Sequence, residues 1–335
     1  MVSSSKLKRA IRRIVNHCLR VKPEENVVII TDENHLEEAV LLRTECAAIT
    51  SKVNFFILED LVQRPAKRVP FSIIKALRAA DVSVLWVEKG GGEQVTFRSP
   101  LLRVIGDNAR LRHAHMPGVD VKTIIEAFDQ DQGAMQQLTD KVYQIMTHAS
   151  RVKVTNPAGS DFEVLFSPTY QWVAEDNVIE PGYWANLPAG AVYTHPASLS
   201  GVIVVDGVLG DVFSDIFGLL QKKDQLRIEI EESFITKASS ANRKLLKLFK
   251  EAIASEKNAN RVGEFSLGTN TNINKLSGEF LRDQKAPGVH IAFGDGQPEK
   301  TGCPYYCNYQ LDAILRNATV IVDGQEIMKD GRYLI

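Results

Sequence analysis

The stretch Asn26-Val27-Val28-Ile29-Ile30-Thr31 decides the fold. It is a continuous β-branched run of strand length with no polar alternation. A strand of that pattern is covered on both faces, as in a parallel sheet. Upstream, residues 5–21 read as a helix, with Leu7, Ile11, Ile14, Val15 and Cys18 on one face and Pro23 marking the turn beyond it. Downstream, residues 35–50 read as a helix with Leu36, Val40, Leu41 and Cys46 inward, and Val53-Asn54-Phe55-Phe56-Ile57-Leu58 as the next strand. A helix over residues 70–80 and a third strand over Asp81–Val87 follow. Strands and helices alternating at this spacing predict an open, mostly parallel α/β sheet.

Gly90-Gly91-Gly92 follows the third strand. A phosphate-cradling loop needs a helix starting on it and either a Lys-Ser/Thr pair or GxGxxG spacing. Neither is evident, and the loop reads as flexible. Residues 100–112 read as helical. His113 and His115 stand two apart, and such residues are more often satisfied by backbone than by a metal. Asp120 caps a helix, and a second helix runs over about residues 133–149 with Met135, Leu138, Val142, Ile145 and Met146 inward.

Near residue 151 the pattern changes. Arg151–Thr155 and Asp161–Phe166 alternate around the turn Pro157-Ala158-Gly159, which is a β-hairpin. Strands over residues 202–207, 225–231 and 318–327 and one helix over 239–255 make the second half β-rich. The expected domains are therefore 1–150, an α/β domain, and 151–335, a β-rich α+β domain carrying the site.

Composition narrows the function. With 335 residues, 44% hydrophobic and 24% charged, the chain has enough apolar material for two cores. A net charge of -1 argues against a nucleic-acid partner, and the basic run Lys6–Arg13 reads as a solvated helix face. No apolar run reaches the roughly 18 residues a membrane span needs, and no signal-peptide core is evident. A cytoplasmic protein without a membrane partner is expected. Cys18, Cys46, Cys303 and Cys307 suit a reducing compartment as free thiols.

Four stretches in the last third read as parts of one site: Asn186–Ala191, Val262–Asn270, Val289–Gly294 and Gln310–Asp312. They contain Glu264, His290 and Asp312, a donor set suited to Zn, Mn or Fe. Asn186, Gly190, Tyr193 and His195 are candidate cleft residues.

On these stretches, and on Cys18–Val27, Met116–Val119, Val154–Gly159, Asn260–Glu264, Gly288–Gly294 and Val322–Gly324, the chain resembles the thermophilic-type metallo-aminopeptidases of the aminopeptidase T and S group. The resemblance covers nearly the whole chain. It implies an N-terminal α/β domain, a C-terminal domain with a two-metal site, and a homodimer. Three of the five implied ligands carry over, onto Glu264, His290 and Asp312. The other two positions hold Ala191 and Gln310, and the implied tyrosine is replaced at Gln297. Alanine has no lone pair, and a neutral amide is a poor substitute for imidazole.

Two expectations follow. In the first, the chain is a degenerate aminopeptidase, no longer an enzyme and without a cofactor. It would bind an extended peptide, as an accessory to precursor-peptide modification in peptide biosynthesis. In the second, Glu264, His290 and Asp312 hold one divalent Zn, Mn or Fe in a working enzyme. The chain also resembles ring-cleaving dihydroxypyridine dioxygenases, for which the resemblance implies one iron on two histidines and an aspartate, the second histidine falling on Gln310.

Overall fold

The computed structural model describes residues 4–129 and 132–335. The chain divides into two compact units, one of Met1–Asp131 with Asn177–Ala189, the other of Gln132–Asp176 with Gly190–Ile335. These crossings differ from a single boundary near 150. The helix Gly133–Met146 packs Val142 and Met146 into the second unit's core, and residues 177–189 return to the first unit.

The first unit is built on a five-stranded sheet, parallel throughout, in the order Val53–Ile57, Val27–Thr31, Val82–Trp86, Arg112–His115, Trp184–Asn186. Every residue of Val27–Thr31 is buried. The reason is that alternate side chains feed two cores. Val27 and Ile29 pack with Ile11 and Leu42 on one face. Val28 and Ile30 pack with Ile73, Leu77, Leu101 and Ile105 on the other.

Two local expectations are corrected. The helix expected over 100–112 is Ser99–Gly106, and Arg112–His115 is already a strand. Asn108 turns the chain between them by donating its side-chain amide to the carbonyls of Leu77 and Ala80. A helical turn does begin just after the glycine loop, at Gln94. The Glu93 carboxylate fills the space beside Gly90 and pairs with Arg64 at 2.6 Å, so an acidic group stands where an anion would need to approach.

The second unit holds two antiparallel sheets. The larger has eight strands, from the hairpin Arg151–Thr155 and Asp161–Leu165 out to Phe234–Ser240 on one side and Arg332–Tyr333 on the other. The smaller runs in the order Gln310–Leu315, Gly288–Gly294, Val262–Gly268, Ala191–Thr194, Val173–Glu175. One core collects Phe162, Val164, Ile203 and Ile228 from the first sheet and Phe265, Ile291 and Ala313 from the second. The helix Arg243–Ile253 adds Leu245 and Phe249 to it. Among the described residues, no helix is long and apolar enough to cross a membrane.

Candidate metal centre

The smaller sheet of the second unit sorts its side chains by the two-residue period of a strand. Val192, Phe265, Leu267, Val289, Ile291, Phe293, Leu311, Ala313 and Leu315 all point into the core. Their neighbours in sequence occupy the opposite face. Cross-strand register puts Glu264, Ala292 and Asp312 in one row there, and Tyr193, Ser266, His290 and Ile314 in the next. Three of the four site stretches thus fall on strands of this sheet, while Asn186–Ala191 links the first unit's sheet to the strand Ala191–Thr194.

A β-bulge between Val262 and Glu264 re-aims the chain at the first row. It requires Gly263, because a side-chain carbon there would collide with the carbonyl oxygens of Gly294 and Asp295. Ala292 separates the two carboxylates with only a methyl group. Glu264, His290 and Asp312 offer ligand atoms that all lie within 4.8 Å of one another, and among the described residues they are the one such group. His290 Nε2 stands 3.5 Å from Glu264 Oε1 and 3.9 Å from Asp312 Oδ1. All three residues are buried.

The electrostatics ask for a cation. Burial pushes the Asp312 carboxyl well above its usual range, the charge of Glu264 adds to this, and Lys285 opposes it. Burial, with some repulsion from Glu264, also raises Asp295 to about 6. A divalent ion among the three donors reverses the repulsion between Glu264 and Asp312. Ser266 Oγ, fully buried in the same row as His290, has no hydrogen-bond partner among the described residues, as expected of a group that meets a bound ligand. Two oxygens and one imidazole suit Fe(II) or Mn(II). The residues present therefore fit a single divalent ion.

Around the three donors lies a chain of hydrogen bonds. Gln297 donates its amide to Glu264 Oε2 at 2.6 Å. Tyr193 Oη lies 3.2 Å from Gln297 Oε1 and 3.3 Å from Glu175 Oε1, and its single proton serves one of them at a time. Gln297 has φ 54°, left-handed backbone uncommon for a residue with a side chain. Such strain persists where the surroundings hold the residue in place.

The other residues singled out in the sequence are placed as follows. Ala191 is on the polar face, opposite Gly268 and Glu175. Gln310 is exposed at the start of its strand, two residues before Asp312 and on the same face. Gly190 accepts from Thr269 N–H at 2.9 Å, and its φ of 118° is glycine's province. His195 is committed elsewhere: its Nδ1–H donates to the Gly263 carbonyl at 2.7 Å, and its ring packs on Tyr170 and Tyr305. Asn186 belongs to the sheet of the first unit, opposite His115. His113 and His115 are buried there, 3.2 Å apart, with Ser83 Oγ 2.7 Å from His113 Nδ1. Ser266 lies within the site stretch Val262–Asn270 without being singled out there, whereas Glu175, Lys285 and Lys300 carry no motif and were not foreseeable from the sequence.

Comparison with known proteins completes the picture. The structure is similar to the 2,5-dihydroxypyridine dioxygenase from Pseudomonas putida KT2440, at a TM-score of 0.74 and 16% identity over 100% of this chain and 98% of that one. It is also similar to AmpT from Thermus thermophilus, at a TM-score of 0.67 and 15% identity over 99% of each chain. At these identities both show the fold alone. No curated protein sequence matches. The model of the family described as NicX: 2,5-dihydroxypyridine 5,6-dioxygenase matches residues 6–335.

These findings correct the aminopeptidase assignment, which rested on motifs carried by a shared α/β architecture. They also overturn the degenerate, peptide-binding, non-enzymatic reading and its place in peptide biosynthesis. The expectation of no cofactor falls too, because Glu264, His290 and Asp312 form a compact set able to hold one divalent ion. Ala191 counts as a loss only against a two-metal site, whereas Gln310 also stands where the dioxygenase resemblance implies a second histidine, and the cluster that the structure shows has Glu264 with His290 and Asp312. The family match runs through nearly every residue, and this chain belongs to the NicX 2,5-dihydroxypyridine 5,6-dioxygenase family.

Proposed function

We propose that this chain is a single-metal ring-cleaving dioxygenase acting on a dihydroxylated aromatic ring. The observation that carries the reading is the convergence of Glu264, His290 and Asp312 on the polar face of one sheet, in a chain of this family. These three side chains would hold Fe(II). An iron held there supplies the redox chemistry that lets a closed-shell ring react with dioxygen.

The chain's own residues do the rest. The two carboxylates offset the charge of the ion, one more than in a set of two imidazoles and a carboxylate, and so favour a hard divalent metal. Gln297 fixes the orientation of Glu264 by holding its second oxygen. Tyr193, buried and with its hydroxyl raised well above the ordinary range by burial and then by the charges of Glu175 and Glu264, keeps its proton and donates it along this chain. A cavity of about 930 Å³ reaches His290, Gly288 and Ile314 on the polar face, with Ile273, Leu276 and Tyr333 also lining it. A single aromatic ring fits such a space, whose lining mixes these apolar side chains with Lys275, Asp283, Arg316 and Arg332.

The test is oxygen uptake by Fe(II)-loaded protein supplied with 2,5-dihydroxypyridine under air. One dioxygen consumed per ring, with uptake abolished in His290→Ala, is expected. Iron held by the protein without any oxygen uptake on dihydroxylated rings would count against a dioxygenase.

A further inference from the structure

The row of the small sheet that contains His290 has two unlike ends. In order it reads Tyr193, Ser266, His290, Ile314. On one side of His290 stands Ile314, and both residues line the cavity of about 930 Å³. On the other side stands Ser266, which is 0% exposed and lies outside the lining of that cavity. Tyr193, also buried, closes the row beyond it. Two residues along the strand from Ser266, the carbonyls of Ala286 and Gln284 close over Gly268 and leave no room for a side chain. His290 thus separates a roomy end from a closed one.

At the closed end Ser266 has nothing to bind. Phe265 and Leu267 point into the core, so the Ser266 hydroxyl stands on the polar face with Glu264 and His290. Among the described residues its Oγ has no hydrogen-bond partner. Tyr193 is committed elsewhere, with its Oη in reach of Glu175, Gln297 and Lys300. Glu175 in turn is held by Lys285 at 3.1 Å and by Lys300 at 3.4 Å. A buried hydroxyl without a partner is costly, and a fold keeps one where a ligand completes it. The lengths of the side chains say which ligand. Glu264 and His290 carry their donor atoms at the far ends of long side chains, so an ion on them stands above the sheet. Ser266 has a short arm, and its oxygen stays near the floor beside them. Three protein donors leave positions open on Fe(II). A ligand of a few atoms, held on the ion toward the closed end, meets the Ser266 hydroxyl.

We propose that Ser266 is the dioxygen-side donor of this site. Its hydroxyl hydrogen-bonds the small ligand of the ion, while the ring occupies the cavity that His290 and Ile314 line. This rests on the ring-dioxygenase reading, which needs a ring and dioxygen at one ion, and it gives each of them a side of His290. A hydroxyl donor suits dioxygen, which becomes a hydrogen-bond acceptor as negative charge moves onto it.

Nitric oxide stands in for dioxygen in the test. The full chain is loaded anaerobically with Fe(II), and one ion per chain is confirmed. Nitric oxide is titrated in and the paramagnetic resonance signal of the iron nitrosyl is read, first without a ring and then with 2,5-dihydroxypyridine at saturation. Ring binding is measured separately by calorimetry on the same anaerobic protein. In the wild type the two ligands are expected to bind together. Ser266→Ala is expected to weaken nitric oxide about tenfold, with and without the ring, and to leave ring affinity within about twofold. The melting temperature of the metal-free variant is expected not to fall, because an unpartnered hydroxyl is removed. The wild-type measurement needs no variant and stands even if Ser266→Ala does not fold. Displacement of the ring by nitric oxide overturns the proposal. So does a ring affinity that falls as much as that for nitric oxide, or no change in either, the mark of a structural water on Ser266. If iron loads and no dihydroxylated ring binds, the dioxygenase reading falls by itself, and the nitric oxide affinity of Ser266→Ala still decides whether Ser266 serves a small ligand. Failure to load iron overturns both.

Discussion

The two inner sheets of this protein solve one problem in opposite ways. Val27–Thr31 in the first unit and Val262–Gly268 in the second are both buried along their whole length. The first strand is apolar on both faces and feeds two hydrophobic cores. The second is apolar on one face only, and its other face carries Glu264 and Ser266 under complete cover. Burying polar groups costs stability unless partners satisfy them. A fold that accepts this cost along a whole row, opposite His290 and Asp312, marks that face as the place where a ligand is held. The first unit also buries charge, but there it is internally matched: Asp32 is met by Arg64, by His35 at 2.9 Å and by the Glu88 N–H.

Substitutions can break this comparison. The largest effect is expected on the core side of the small sheet. Phe265→Ala, which empties a fully buried ring site, should destabilise the second unit by roughly 3–5 kcal/mol in denaturant titration. Folded variant protein should still bind metal, since the donors face away from the cavity. On the polar side the effects invert. His290→Ala should leave the melting temperature of the metal-free protein nearly unchanged and lower divalent-metal affinity about a hundredfold, close to 3 kcal/mol, by competition with a chelator.

A third prediction sharpens the contrast through pH. Burial alone would raise the Asp32 carboxyl, but His35, the Glu88 N–H and Arg64 hold it at about 2. Its folded value lies below the unfolded one, so its stabilising contribution is present above the ordinary carboxylate value. That contribution is lost as pH falls from near 4 toward 2. Its size is about 2 kcal/mol. Asp32→Asn should therefore flatten acid unfolding of the first unit in that window and lower stability at neutral pH by about this amount. The smallest effect is expected at Gln297. Gln297→Ala should weaken metal binding about tenfold with little change in melting, because it removes the support behind Glu264 and no donor.

Much of the first unit is legible in the sequence because three of its strands, Val27–Thr31, Val53–Ile57 and Val82–Trp86, are mostly apolar runs of strand length, whereas Arg112–His115 has no β-branched residue to announce it. Its fifth strand is not, since Trp184–Asn186 is only three residues long and arrives from later in the chain. The site strands are harder to read for the reason that makes them a site. Glycines at 263 and 268 and polar residues at 264 and 266 interrupt the apolar pattern that announces a strand. Glu264, His290 and Asp312 can be named from the sequence through resemblance, and the fold brings them together. What misleads is the frame in which they are counted. Against a two-metal peptidase, Ala191 and Gln310 signify decay. On the sheet, Ala191 is the small residue that gives Glu175 and its lysines their room. Nothing in the spacing of Glu175, Lys285 and Lys300 points to their meeting, because tertiary packing alone joins three separate segments.

The central claim is that the polar face of this sheet holds one metal ion on Glu264, His290 and Asp312. Titration of metal-free protein with Mn(II), followed by the loss of the free-ion paramagnetic resonance signal, tests it most directly. The account predicts one ion bound per chain in the wild type and none in a folded Asp312→Ala variant. Two ions per chain, none, or equal uptake by that variant would contradict it.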